Sequence, residues 1–175
     1  MGRLKHRTAP LATYFVTTKT WSNRRLFSVT EVAQIVINKI IHYRDQGAYQ
    51  LHEFVLMPDH LHLLITPGRT TSLEKAMQLI KGGSSYEIHR VRENHMEIWQ
   101  PGFHEWTIRN PDDYATKAQY IRMNPVAANL VERAEEWKFG SASDFYKLDA
   151  MPGYLQGLEP LKSHSGNVGA EAPTP

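Results

Sequence analysis

An α+β fold is predicted for this chain by three observations. Four short stretches are rich in β-branched and aromatic residues, two longer stretches between them carry helical spacing, and Pro, Gly, Asn or Asp punctuates the joins. Leu11 to Thr18 reads as the first strand. After a polar loop at Trp21 to Arg25, Thr30 offers an N-cap, and Val32, Ile35, Val36, Ile40 and Tyr43 share a helix face that Gly47 ends. Tyr49 to Met57 and His60 to Thr66 read as two strands of a hairpin turned by Pro58-Asp59. Ser72 caps a second helix, with Leu73, Met77, Ile80, Ser84, Ile88 and Val91 on one face. Gly82-Gly83 inside it is expected to weaken or kink it. Ile98 to Arg109 reads as the fourth strand. Asn110 or Asp112 then caps a third helix that Pro125 should end near Asn124.

The order β-α-β-β-α-β is that of a split βαβ, ferredoxin-like antiparallel sheet with helices on one face. The third helix is an addition beyond that core. Residues 1–150 are expected to form one domain and 151–175, rich in Pro, Gly, Ser and Ala, a flexible tail dispensable for folding.

The chain has 175 residues, 41% hydrophobic and 22% charged, an ordinary balance for a single globular domain. It has no cysteine, which excludes disulfides and thiolate metal sites and makes a cytoplasmic location the simplest expectation. No apolar run reaches the ~18–20 residues of a membrane span, so no membrane partner is expected. The basic start, Met1 to Arg7, lacks the apolar stretch of a secretory signal. Residues 1–50 carry eight Lys and Arg against two acidic residues, whereas residues 132–175 carry four against seven. A basic half suits a polyanion such as nucleic acid, although a solvated charged face has the same composition.

The chemistry concentrates in two places. In Met57-Pro58-Asp59-His60-Leu61-His62-Leu63, strand periodicity puts His60 and His62 on one face and Leu61 on the other. Two neighbouring imidazoles are costly to bury unpartnered, and a divalent metal would satisfy both. A half-exposed pair on a sheet surface is the plainer alternative. In Tyr120-Ile121-Arg122-Met123-Asn124-Pro125-Val126, Tyr120 and Asn124 share a helix face. Taken alone, they read as a packing tyrosine and a helix-end asparagine. Taken with the histidines, two imidazoles and the Asn124 amide oxygen would hold a metal while the helix aims the Tyr120 phenol at what the metal polarises.

Phe54 to Leu64 resembles the HUH motif of single-tyrosine transposases. Ala76-Met77-Gln78-Leu79-Ile80-Lys81-Gly82-Gly83, Ile98-Trp99-Gln100-Pro101-Gly102-Phe103 and Tyr120 to Val126 are similar to motifs of their REP-associated tyrosine transposase branch. The resemblance runs in order from about Tyr14 to Ser143. It implies a ferredoxin-like fold, Mg²⁺ or Mn²⁺ as cofactor, and single-stranded DNA with hairpins, of the repetitive extragenic palindrome type, as partner. It places Tyr120 on the nucleophile, His60 and His62 on the metal pair, and Asn124 on a third polar ligand. Many relatives have His where this chain has Arg122 and Gly where it has Asn129. Arg122 is expected to grip phosphate, and Asn129 tolerates the left-handed conformation after a helix.

The implied reaction is metal-dependent cleavage and rejoining of single-stranded DNA through a 5′-phosphotyrosine, by a monomer or homodimer in the cytoplasm near the nucleoid. A phenol is mostly protonated at neutral pH and needs electrostatic activation. The rival readings are a non-catalytic hairpin-binding module on the same fold and a His-x-His metallohydrolase. The hydrolase lacks further acidic ligands nearby, since strand alternation would turn Asp59 to the opposite face. Arg24, Arg25, Lys81 and Arg90 are candidate phosphate contacts. Tyr14, Trp21, Tyr86, Trp99 and Trp106 are candidate stacking platforms, with core packing expected for Trp99 and Trp106.

Overall fold

The computed structural model describes residues 12–93 and 95–156. Four strands, β1 (Tyr14–Lys19), β2 (Tyr49–Leu56), β3 (His60–Pro67) and β4 (His104–Thr107), form one sheet in the spatial order β2-β3-β1-β4. Every neighbouring pair is antiparallel. Helices α1 (Thr30–Asp45) and α2 (Leu73–Arg92) cover one face, and α3 (Pro111–Ala127) lies on the other. This is the expected α+β, split βαβ ferredoxin-like arrangement with an added helix. Among the described residues no helix is long and apolar enough to cross a membrane.

Two apolar layers hold the sheet. Leu61, Leu63 and Ile65 of β3 join Tyr14 and Val16 of β1 under Val36, Ile37, Ile40, Met77 and Ile80. Leu64 and Val55 face the other way, toward Tyr114, Ala118 and Ile121 of α3. Full burial of one such aliphatic side chain contributes roughly 1.5–3 kcal/mol, so both layers matter to stability. Ser72 accepts the Lys75 amide as the predicted cap of α2, and Asn110 accepts the Asp113 amide as the cap of α3.

Several expectations are corrected. Gly82-Gly83 does not interrupt α2, which is one helix. A Cβ on Gly83 would stand 2.5 Å from the Tyr43 hydroxyl, so this glycine serves close packing of α2 on α1. Strand β4 spans only His104–Thr107, with an isolated bridge between Thr20 and Trp99 upstream, because the Pro101-Gly102 turn divides the run. Trp99 is buried as expected, but Trp106 is exposed, because β4 is an edge strand.

Helix α3 runs past Pro125 to Ala127. Its end is a Schellman motif: Leu130 N–H donates to the Pro125 carbonyl, Asn129 N–H to Val126, and Asn129 takes a φ of 54°. Proline within the last turn loses one amide bond, and its own carbonyl is satisfied by the cap.

Residues 139–149 return along the free edge of β2. Leu56 N–H donates to Phe139, Ser141 N–H to Phe54, and Asp149 N–H to Leu51, which closes an edge open to intermolecular pairing. Residues 151–156, read from sequence as the start of a tail, dock on the domain: Leu155 is buried in the α3-side cluster and Tyr154 bonds to Thr13. The rest of that segment, residues 157–175, lies outside the described residues.

Candidate active site

The site forms on the α3 face of the sheet. Because β3 alternates, Leu61 is buried toward α1 and α2 while His60 and His62 emerge together, ring centres 4.8 Å apart. In register, Thr17 lies opposite His62 and Lys19 opposite His60. Phe15, two residues back on β1, stacks on His62 at 5.3 Å, and Tyr120 of α3 meets both rings edge-on, 5.3 Å from His62 and 5.8 Å from Phe15. Tyr120 is 49% exposed, so its phenol is anchored at one edge and open to solvent at the other.

The hydrogen bonds fix which imidazole nitrogens remain for a ligand. His60 Nδ1 lies 2.6 Å from Asp59 Oδ1. A carboxylate accepts only, so Nδ1 carries the proton and donates it, leaving Nε2 as the basic nitrogen. His62 Nδ1 is 2.7 Å from the Thr17 hydroxyl, and its Nε2 is buried without a partner among the described residues. Burial, reinforced by the charges of His60, Lys117 and Lys19, pushes His62 down to about 3, so it is neutral at physiological pH. Two imidazoles tied through Nδ1, one to a carboxylate, with Nε2 left over, match the outer-shell pattern of metal-binding histidines. The orphaned Nε2 of His62 is the atom a metal would satisfy, so the donor set fits a small divalent ion. Strand alternation does not keep Asp59 away from this pair: Asp59 belongs to the turn before β3, and its carboxylate folds onto His60.

Asn124 lies one turn beyond Tyr120, partly buried. Its side chain makes no hydrogen bond among the described residues. Among the described residues no group of three or more His, Cys, Asp and Glu side chains is placed to hold a metal ion, so a third donor beside the two imidazoles would be an amide, a water or a substrate oxygen.

The candidate phosphate contacts are mostly engaged within the fold. Arg24 donates to the carbonyls of Trp21 and Glu97, joining the loop after β1 to the segment before β4. Lys81 donates to the carbonyls of Gln100 and Gly102, and burial pushes it down to about 8. Arg90 pairs with Glu87 on the surface of α2. Arg122 pairs with the buried carboxylate of Glu53, which also accepts the Ser141 hydroxyl. Arg25 is exposed. Of the candidate platforms, Tyr14 is buried in the core and Tyr86 is exposed on α2.

Sequence reasoning missed Lys117, whose Nζ lies 4.8 Å from the centre of the Phe15 ring and 5.6 Å from that of Trp106. Its spacing of three before Tyr120 was the available signal. Phe15 and Thr17 carried none, because their place beside His62 depends on the β1–β3 register.

Comparison with known proteins gives a consistent answer. A family model described as "Transposase IS200 like" matches residues 12–124. The REP-associated tyrosine transposase of Escherichia coli K12 is 27% identical over 135 residues, covering 73% of this chain and 79% of that protein. A solved structure of a REP-associated tyrosine transposase bound to a REP hairpin superposes with a TM-score of 0.68 at 25% identity, covering 87% of this chain and 92% of the other.

Proposed function

The chain belongs to the IS200-like transposase family, and from that premise we propose that it is a metal-dependent transposase that cleaves and rejoins single-stranded DNA next to hairpins, with Tyr120 as nucleophile. The observation that carries this reading is the Tyr120 ring against His62, whose Nε2 is buried without a partner among the described residues. The similarity to a transposase bound to a REP hairpin supports a hairpin with unpaired flanks as the substrate class.

His60 and His62 would hold Mg²⁺ or Mn²⁺ through their Nε2 atoms, and Asn124, on the same helix as Tyr120, is the proposed third ligand. Such an ion would supply charge to neutralise and polarise the phosphodiester. Asp59 and Thr17 orient the two imidazoles. The contact with Phe15 and His62 fixes the Tyr120 ring, while its half-exposure leaves the hydroxyl accessible to a strand and its proton free to leave to water. Attack by the phenolic oxygen on phosphorus forms the 5′-phosphotyrosine and breaks the P–O3′ bond, and the departing 3′ oxygen takes up a proton. Attack by another 3′-hydroxyl reverses these steps, joins the strands and returns the tyrosine. The bond energy is conserved in the adduct, so no nucleotide triphosphate is consumed.

The test incubates the full chain and Tyr120→Phe with a labelled hairpin carrying single-stranded flanks, with and without Mg²⁺ or Mn²⁺. A denaturation-resistant adduct that needs the metal and is absent from Tyr120→Phe is expected. An adduct that persists in Tyr120→Phe would remove Tyr120 from the chemistry. Tight hairpin binding with no adduct under any divalent ion would favour the non-catalytic module.

A further inference from the structure

The exposed aromatic of β4 lies beside this site. Trp106 pairs across the sheet with Phe15, the residue that stacks on His62 and touches Tyr120. Its indole is 53% exposed on an edge strand and open to a partner. Lys117, one turn before Tyr120, holds its ammonium over both Trp106 and Phe15. The result is an exposed aromatic surface with a positive charge over its rings and the Tyr120 phenol against the neighbouring Phe15.

We propose that Trp106 and Lys117 form a nucleotide subsite, in which an unpaired base of the strand leading to the scissile phosphate stacks on the indole and Lys117 pairs with its phosphate. Aromatic faces accept any base, and a neighbouring ammonium complements the backbone of the same nucleotide. The charge selects a polyanion over an apolar peptide or a second copy of this chain as the occupant. A base held there would fix the strand's register and leave Tyr120 to meet one phosphate. This inference rests on the reading of Tyr120 as nucleophile, but its binding step can be measured without cleavage.

Stacking tolerates sequence, so the probe is an unstructured ten-nucleotide DNA strand with a central 2-aminopurine. Wild type is expected to quench 2-aminopurine fluorescence on binding. Trp106→Ala should bind about 5- to 150-fold more weakly, with Trp106→Phe largely restoring binding. Lys117→Met should bind more weakly and lower the slope of log affinity against log salt by about 0.7, the value for one phosphate on a single strand. Phe145→Ala, an exposed aromatic in the segment along β2 at the opposite edge of the sheet, should bind like wild type. Melting curves identify a variant that fails to fold, in which case Trp106→Phe and Lys117→Met decide.

Wild-type affinity and quenching in a folded Trp106→Ala would overturn the subsite. So would a dimer by light scattering that Trp106→Ala dissolves, which would make β4 a self-association edge. If Trp106→Ala binds normally while the Tyr120 adduct still forms on a hairpin, the subsite fails and the proposed function stands. If Trp106→Ala and Lys117→Met weaken binding but no adduct forms, the subsite stands and the nucleophile fails.

Discussion

Arg122→Ala is expected to destabilise the chain by about 2–3 kcal/mol. The reason is the carboxylate it would leave behind. Glu53 is only 3% exposed, and its two oxygens are taken by the Arg122 guanidinium and the Ser141 hydroxyl. Removing one partner of a fully buried ion pair costs about 3–5 kcal/mol, because the other charge stays desolvated. Here the Arg122 side chain is half-exposed, so solvent screens part of the attraction and can reach part of the vacated space, which lowers the figure. In a chain of this size 1 kcal/mol shifts Tm by about 2–4 °C, so a loss of roughly 5–10 °C should appear by circular dichroism. Glu53→Gln combined with Arg122→Met removes both charges and should recover most of the loss, since the expensive term is the unpaired carboxylate. Arg122→Ala melting within about 2 °C of wild type would show that the stranded Glu53 carboxylate costs little. So would a double variant that is as unstable as the sum of its singles.

Three further outcomes follow from the same face of the sheet. Tyr154, Thr13, Thr66 and His52 form a hydrogen-bond chain in which Thr66 donates to His52 Nε2 and His52 Nδ1 donates to the Asp149 carbonyl, and burial lowers the His52 pKa. Below the ordinary histidine pKa of about 6.5 the unfolded chain then binds a proton that the folded chain refuses, so stability should fall as pH drops, and Tm measured from pH 7.5 to 5 should fall less in His52→Gln. Truncation after Ala150 should cost about 2–4 kcal/mol in denaturant unfolding, through loss of buried Leu155 and the Tyr154 bonds, whereas truncation after Gln156 keeps both; equal stability of the two would deny the docking. Asn129→Ala should lose about 1 kcal/mol by thermal melting, and Asn129→Gly should match or exceed wild type, because a φ of 54° penalises a Cβ in the absence of the asparagine side chain.

The paired histidines were legible because strand alternation is local: once His60 to Thr66 is a strand, no tertiary information is needed to put His60 and His62 together. The same rule misled for Asp59, which precedes the strand, where alternation has no force. It was silent on Trp106, since the pattern of an edge strand does not say whether a helix will cover it. The helix caps at Ser72 and Asn110 were legible for the same reason as the histidines, being contacts within three residues. Lys81 and Arg24 looked like free cations because their acceptors are backbone carbonyls of a distant segment, which composition does not mark.

Glu53 gives the sharpest case. Leu51 belongs to the apolar layer under α1 and α2, and regular alternation along β2 would send Glu53 to that same layer as an unpaired charge. The pairing with β3 instead steps from Leu51–Ile65 to Glu53–Leu64, leaving His52 as the extra residue of a bulge. That single insertion reverses the alternation, turns Glu53 to the α3 side and lets it meet Arg122, two residues from Tyr120. Phe54, the next residue, then returns to the α1–α2 layer. The bulge thus joins the sheet to the helix that carries the proposed nucleophile. Its consequence can be separated from mere stability: Glu53→Gln/Arg122→Met, even where it melts like wild type, should form the Tyr120 adduct more slowly, because an apolar contact fixes the rotation of α3 less firmly than a bonded carboxylate. Unchanged adduct kinetics in a fully stable double variant would confine the pair to folding.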